Sequence, residues 1–186
     1  PINPYGETKL IGEWMMADCE RAWDLKWIGL RYFNVAGAGW PDLADPAIMN
    51  LIPMVLDRLE RGESAKIFGT DYDTPDGSCI RDYIDIVDLA RAHVEAVRRL
   101  FEGQATEPLE VFNLGTGRGV SVLELIRTFE EATGVRVPYQ IVGRREGDIE
   151  QVWADPARAN RVLGWTARTP LSETLRNAWK WQQRQG

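Results

Sequence analysis

Apolar side chains recur every three to four residues along the opening segment of the chain, which is the period of an amphipathic helix. The apolar positions are Leu10, Ile11, Trp14, Met15, Cys19, Ala22 and Trp23. Asn3 is a favourable N-cap and Pro4 suits the first helical position, so the pattern predicts a helix from about Pro4 to Trp23. The apolar run KWIGLRYFN that follows predicts a buried strand ending near Asn34.

The rest of the chain alternates helix and strand signals, as α/β proteins do. Asn50 is placed to cap a helix over residues 51–61, and a second helix is predicted over residues 87–101. A third begins at the capping box Ser121-Val122-Leu123-Glu124, and two shorter helices start at Asp155-Pro156 and Thr169-Pro170. Strands are predicted at AKIFG, LEVFNLG and VPYQIV, and a turn-rich loop, TDYDTPDGSC, leads into IRDYIDI and the helix over residues 87–101.

A glycine-rich turn, LGTGRGV, follows the strand LEVFNLG and precedes a helix, as a dinucleotide-binding fingerprint would. Its glycines are Gly115, Gly117 and Gly119, whereas the fingerprint needs the third glycine at the position of Val120. A tight strand-to-helix turn accounts for these glycines without a ligand, and we adopt that interpretation.

Composition narrows the class of protein. The chain has 186 residues, 44% of them hydrophobic, and a net charge of −6, which argues against non-specific binding to nucleic acid. No apolar run approaches the ~20 residues of a membrane span, so we expect no membrane partner. Cys19 and Cys79 lack metal-ligand spacing, so we expect no metal site, reduced cysteines and a cytoplasmic location.

Tyr5 and Lys9 lie four residues apart, the spacing that stacks two side chains on one face of a helix. A tyrosine that must lose its proton benefits from an ammonium group one turn away. The same spacing arises by chance in roughly one chain in three or four of this length. A surface lysine beside a half-buried tyrosine is therefore the alternative interpretation.

Several phrases of the sequence occur together in a known order: NPYGETK, LRYFNVAGAG, NLIPMVL, IFGTDYDTPDGSCIRDYIDIVDLARAH, VFNLGTGRGVSVLELI, RREGDIEQVWADP and LGW. In this order the sequence resembles the C-terminal portion of the UDP-glucose 4-epimerase family of extended short-chain dehydrogenase/reductases. The resemblance implies an α/β fold in which residues 1–36 are a Rossmann-type remnant, one long helix and one strand of a parallel sheet. Residues 37–186 would form a smaller mixed α/β UDP-sugar domain, from which some segments return to the Rossmann sheet.

The resemblance also implies a reaction. Members of this family epimerise UDP-glucose and UDP-galactose by passing a hydride to bound NAD and taking it back on the other face of the keto-sugar. By this resemblance Tyr5 is the general acid and base, and Lys9 stabilises the tyrosinate and holds the nicotinamide ribose. Tyr32 would lie on the nicotinamide side of the pocket.

Eight positions match the family's UDP-sugar site, namely Asn34, Asn50, Leu51, Phe68, Arg81, Arg145, Asp148 and Val152. By resemblance Arg81 and Arg145 bind the diphosphate, and guanidinium groups suit such a ligand. The alternative is that each arginine forms a surface ion pair with its neighbour, Asp82 or Glu146. Val152 stands where relatives vary between tyrosine and smaller residues, so we expect an assembled enzyme to tolerate N-acetylated sugars.

The family's Gly-rich NAD-binding half is missing from these 186 residues, and two hypotheses follow. The chain is either part of an epimerase completed by that half, or a remnant without turnover that holds a UDP-sugar weakly or only self-associates. We expect the chain alone to be inactive or nearly so, because nothing holds the dinucleotide. We also expect another copy or a complementing N-terminal half to cover its exposed apolar surfaces.

Overall fold

The computed structural model describes residues 1, 3–40, 43 and 47–184. The described helices are α1 (Pro4–Trp23), α2 (Leu51–Glu60), α3 (Ile86–Phe101), α4 (Val122–Thr133), α5 (Ala157–Leu163) and α6 (Leu171–Gln182). The described strands are β1 (Trp27–Tyr32), β2 (Asn34–Ala36), β3 (Ala65–Phe68), β4 (Ile80–Arg81), β5 (Tyr83–Asp85), β6 (Leu109–Leu114), β7 (Val120–Ser121), β8 (Tyr139–Val142) and β9 (Gln151–Val152). The expected α/β class is confirmed.

Helix α1 has the predicted bounds. The Asn3 side chain accepts a hydrogen bond of 2.9 Å from the Gly6 N–H, and Asp24 ends the helix in the left-handed conformation with φ 52°. At α4, Ser121 accepts a hydrogen bond of 3.0 Å from the Glu124 N–H, which is the N-cap half of the predicted capping box, while the Glu124 carboxylate pairs with Arg118. Asn50 holds the N-cap position of α2 in extended conformation, but among the described residues its side chain caps no N–H.

The predicted strand KWIGLRYFN is interrupted at Phe33, which corrects the sequence prediction. Its first part, β1, pairs in parallel with β6, while β2 pairs in parallel with β5. The segment IRDYIDI is divided in a similar way at Asp82, because β4 pairs with β7 and β9 in a different sheet from β5. The two interruptions lie next to each other in space, because the Asn34 N–H donates a hydrogen bond of 3.0 Å to the Asp82 carbonyl oxygen.

Two apolar clusters form the core. One packs α2, α4 and α6 against β3 and β5, around Ile52, Ile67, Phe129 and Leu175. The other packs α3 and α5 against β5 and β6, around Ile84, Phe112, Leu114 and Trp165.

The long helix α1 contributes to neither core cluster. It buries none of its residues, and Trp14 and Met15 are 60% and 62% exposed. Its apolar stripe therefore lies open, as the sequence led us to expect. Among the described residues, no helix is both long enough and apolar enough to cross a bilayer.

The pairing of β1 with β6 joins residues 109–114 to the sheet of the opening segment. Such a return to the first sheet is compatible with the predicted division into residues 1–36 and 37–186. The boundary itself stays a prediction.

Candidate functional site

A cavity of about 210 Å³ lies between α2, β3, the β4–β5 segment and the turn that follows β8. Seven of the residues predicted to bind a UDP-sugar line it, namely Asn34, Asn50, Leu51, Phe68, Arg81, Arg145 and Asp148. These residues are spread over more than a hundred positions of the sequence. The fold places all seven around one cavity.

Arg145 and Asp148 form one wall of this cavity. The Arg145 Nη2 and Nε groups donate hydrogen bonds of 2.7 and 3.1 Å to one oxygen of the Asp148 carboxylate. This hydrogen bond raises the pKa of the Arg145 guanidinium, which therefore stays charged. The guanidinium carbon lies 5.5 Å from the centre of the Phe68 ring, within cation–π distance. The alternative partner Glu146 does not pair with Arg145.

Arg81 forms the neighbouring wall. Its Nη1 group donates a hydrogen bond of 2.8 Å to the Ile80 carbonyl oxygen and lies 3.5 Å from the Glu150 carbonyl oxygen. Among the described residues no carboxylate pairs with Arg81. The Asp82 carboxylate instead accepts hydrogen bonds from the N–H groups of Thr116, Gly117 and Ala154. A half-buried guanidinium that is matched only by carbonyl oxygens is a suitable receptor for an anionic ligand.

Ten further residues line the cavity that were not anticipated from the sequence, and four of them have polar or charged side chains: Tyr83, Cys79, Arg58 and Lys66. Tyr83 is buried, and desolvation raises the pKa of its phenol, so the hydroxyl stays protonated. The available signal for Tyr83 was its position, because it lies two residues after Arg81 in the phrase that matched the family. Arg58 pairs with Glu63, and Lys66 is exposed on β3, so the cavity rim carries extra positive charge.

Tyr5 and Lys9 share one face of α1, as their spacing predicted. The Lys9 Nζ atom lies 5.0 Å from the centre of the Tyr5 ring. Tyr5 is 71% exposed and Lys9 is exposed beside it, so the pair lies on the surface of the described chain and both interpretations stay open. Tyr32 ends β1 with its ring 6.1 Å from that of His93. These three residues do not line the cavity, and their predicted roles stay predictions.

Val152 also lies outside the cavity lining. It is placed on β9, where it pairs in parallel register with Arg81 of β4. Its side chain is therefore close to the arginine wall, and its predicted influence on sugar choice stays a prediction.

Comparison with known proteins decides the family. Residues 1–115 match the profile of the NAD dependent epimerase/dehydratase family. The chain belongs to this family. It is 44% identical over 186 residues to a UDP-glucose 4-epimerase of Rhizobium leguminosarum bv. trifolii, covering 97% of this chain and 56% of the relative. The human UDP-glucose 4-epimerase is 42% identical, with 97% of this chain and 53% of the relative covered.

Solved structures of this epimerase/dehydratase family have the same fold. The UDP-glucose 4-epimerase of Stenotrophomonas maltophila, with bound NAD and formylated UDP-arabinopyranose, matches with a TM-score of 0.89 and 43% identity over 98% of this chain and 55% of that one. The Bifidobacterium longum enzyme, in complex with NAD+ and UDP, matches with a TM-score of 0.86 and 40% identity, again over 98% and 55%. The chain thus spans about half the length of the relatives it matches.

The family uses NAD. The assignment of Tyr5 and Lys9 to the nicotinamide ribose stays a prediction, and the structure places the two side chains next to each other. The fingerprint G-x-G-x-x-G does not occur in the sequence. The turn after β6 is not a substitute for it, because the Thr116 and Gly117 N–H groups already donate to the Asp82 carboxylate at 3.0 and 3.1 Å. In the part of the chain that the structure describes, no cluster of side chains suits a metal ion.

Proposed function

We propose that this chain supplies the nucleotide-sugar site and the Tyr–Lys pair of an NAD-dependent UDP-sugar 4-epimerase. The observation that carries the proposal is the single cavity in which Arg81, Arg145, Asp148 and Phe68 meet. Two guanidinium groups match a diphosphate, a carboxylate matches ribose hydroxyls, and an aromatic ring matches a base. The relatives named above act on or bind compounds of this class.

The cavity lining gives each part of the ligand a partner. In the proposed complex Arg145 and Arg81 bind the diphosphate, and Asp148 accepts hydrogen bonds from the uridine ribose. Phe68 packs beside the uracil, while Asn34 reaches the sugar. Asn50 and Leu51 line the passage between them at the start of α2.

The chemistry is assigned to α1. In the proposed reaction Tyr5 removes the proton from the sugar 4-hydroxyl and later returns it. The Lys9 ammonium group, one helical turn away, favours the deprotonated phenol. When bound, NAD supplies the acceptor and donor of the hydride. Tyr32 at the end of β1 is proposed to contact the nicotinamide side.

A second proposal concerns the chain by itself: it binds UDP but does not turn over UDP-sugars. It is favoured by the turn after β6, whose N–H groups bind the Asp82 carboxylate and so are not available to a phosphate. It is also favoured by the absence of the phosphate-binding fingerprint from the sequence. Catalysis would then require phosphate-binding residues that these 186 residues do not contain. The open stripe of α1 supports contact with a further protein surface, either the remaining part of the enzyme or a second copy of this chain.

Calorimetric titration with UDP tests the proposed site. The Arg145→Ala variant is expected to bind UDP about 10- to 100-fold more weakly than the unaltered chain, because a charge-assisted hydrogen bond to phosphate is lost. Arg118→Ala is the matched control, since Arg118 is a surface arginine paired with Glu124 outside the cavity. Equal UDP affinity in all three proteins, or no binding of UDP to the unaltered chain, would contradict the proposal.

A further inference from the structure

Asp82 lies between β4 and β5, at the point where the chain leaves one sheet and enters another. It is fully buried. Its neighbours Arg81 and Tyr83 both line the cavity, whereas the Asp82 side chain hydrogen-bonds with Thr116, Gly117 and Ala154, which do not line it. The carboxylate therefore cannot itself meet a ligand in the cavity, although it is joined to two lining residues.

The Asp82 carboxylate accepts four hydrogen bonds from two distant segments. Oδ1 accepts from the Thr116 N–H at 3.0 Å and from the Thr116 hydroxyl at 2.7 Å. Oδ2 accepts from the Gly117 N–H at 3.1 Å and from the Ala154 N–H at 3.2 Å. Among the described residues no cation pairs with this carboxylate, so backbone N–H groups and one hydroxyl stabilise its charge.

The glycine at position 115 makes this arrangement possible. A Cβ atom there would lie 2.4 Å from Asp82 Oδ2 and 2.5 Å from the Ala154 Cβ. Neither distance is tolerable, so any side chain at this position would push the carboxylate out of the turn. The turn that resembles a phosphate-binding loop thus holds a carboxylate of its own chain.

The main chain of Asp82 makes a further connection. Its carbonyl oxygen accepts a hydrogen bond of 3.0 Å from the N–H of Asn34, another lining residue. The segment that follows β9, and with it Val152, is attached through the Ala154 N–H. One residue therefore connects β2, β4, β5, β9 and the turn after β6 behind the cavity.

We infer that Asp82 is a positioning residue for the diphosphate end of the proposed nucleotide-sugar site. It fixes the backbone of Arg81 and Asn34 relative to the segment after β9, so that the guanidinium group is presented to the ligand. The inference rests on the proposed function for the identity of the ligand. It assigns a role to a buried carboxylate that touches neither sugar nor phosphate.

The substitution Asp82→Asn tests the inference with little change of shape. An asparagine retains one acceptor oxygen, but its NH2 group would face N–H donors, so either the bonds from the Gly117 and Ala154 N–H groups or the bond from the Thr116 N–H is lost. We expect UDP affinity to fall about tenfold while uridine affinity changes less than twofold, because the diphosphate end is displaced. A purely structural role would weaken both ligands equally or neither.

Asp88→Asn is the matched control. Asp88 is also buried, and its Oδ2 accepts from the N–H groups of Arg168 and Thr169 at 2.8 and 2.7 Å. Asp88 does not line the cavity, so its variant is expected to lose stability but to keep UDP affinity within about twofold. UDP binding by Asp82→Asn that equals that of the unaltered chain would overturn the inference.

Hydrogen exchange separates failure of the inference from failure of the proposed function. Without any ligand, Asp82→Asn is expected to accelerate exchange of the Asn34, Gly117 and Ala154 amides at least about tenfold, and Asp88→Asn that of Arg168 and Thr169 instead. If the unaltered chain does not bind UDP, the proposed function fails, and unchanged exchange at Asn34 would then overturn the inference separately. Should Asp82→Asn not fold, Thr116→Val, which removes only the hydroxyl donor, is measured in its place with the same criteria.

Discussion

At the residue scale, a buried ion pair between Arg99 and Glu110 connects α3 with β6. The Arg99 Nε and Nη2 groups donate hydrogen bonds of 2.6 and 2.8 Å to the two oxygens of a Glu110 carboxylate that is 1% exposed. The hydrogen bond from Arg99 lowers the pKa of Glu110 below its usual value. The charged carboxylate is therefore favoured in the folded chain.

This pair predicts how stability depends on pH. Because the folded pKa of Glu110 lies below the unfolded value of about 4.3, its contribution is complete above that pH and is lost as pH falls through the folded value. Glu110→Gln is expected to lower the free energy of unfolding at pH 7 by about 3 kcal/mol, since Arg99 is left buried without a counter-charge. Its stability should also decline less steeply than that of the unaltered chain below about pH 4.3.

Urea unfolding between pH 3 and 7 measures both effects. Glu95→Gln is the control, because Glu95 forms an exposed pair with Arg98 on the same helix, worth at most about 0.5 kcal/mol. Parallel pH curves for Glu110→Gln and the unaltered chain would show that the buried pair is not linked to the acid response.

Individual residues of the candidate site were predictable only where they lie in a stretch of sequence that matches the family. Arg81, Arg145 and Phe68 were matched by phrases of the sequence, and the structure places them in one cavity. Asp82 was considered only as an ion-pair partner of Arg81. Its contact with Ala154 joins residues 72 positions apart, and such a contact leaves no local signal in the sequence.

At the element scale, α1 carries an apolar stripe whose large side chains Ile11, Trp14, Met15 and Trp23 are exposed in the described chain. Trp14 and Met15 are 60% and 62% exposed, and covering such side chains contributes roughly 1.5–3 kcal/mol each. We expect the isolated chain to self-associate through this helix in sedimentation velocity runs. The double variant Trp14→Glu, Met15→Lys is expected to sediment as a monomer at the same concentration.

Ile141→Lys provides the control for this prediction. Ile141 is 58% exposed on β8, so the change removes a comparable apolar side chain from a different surface. Association that persists in the α1 variant but disappears in Ile141→Lys would assign the contact to the β8 edge instead.

The bounds of the helices were predictable because periodicity and capping are local properties. The α1 and α4 caps depend on residues three positions apart, Asn3 with Gly6 and Ser121 with Glu124. The breaks in two strands were not predictable, because they depend on which distant strand pairs with each half. An apolar run is the same whether it forms one strand or two.

At the scale of the whole molecule, the account separates nucleotide-sugar binding from turnover. We expect the purified chain to bind UDP and to release no dinucleotide on denaturation, because the sequence lacks the phosphate-binding fingerprint and the turn after β6 is filled by Asp82. Chromatography of the released nucleotides measures this directly. Stoichiometric NAD, or reduced nicotinamide absorbance on addition of a UDP-sugar, would contradict it.

The central claim is that the cavity bounded by Phe68, Arg81 and Arg145 receives the nucleotide of a UDP-sugar. A crystal structure of the chain with UDP tests it most directly. The account predicts the uracil beside Phe68 and the diphosphate within hydrogen-bond distance of both guanidinium groups. UDP bound on another surface, with this cavity filled by solvent alone, would contradict it.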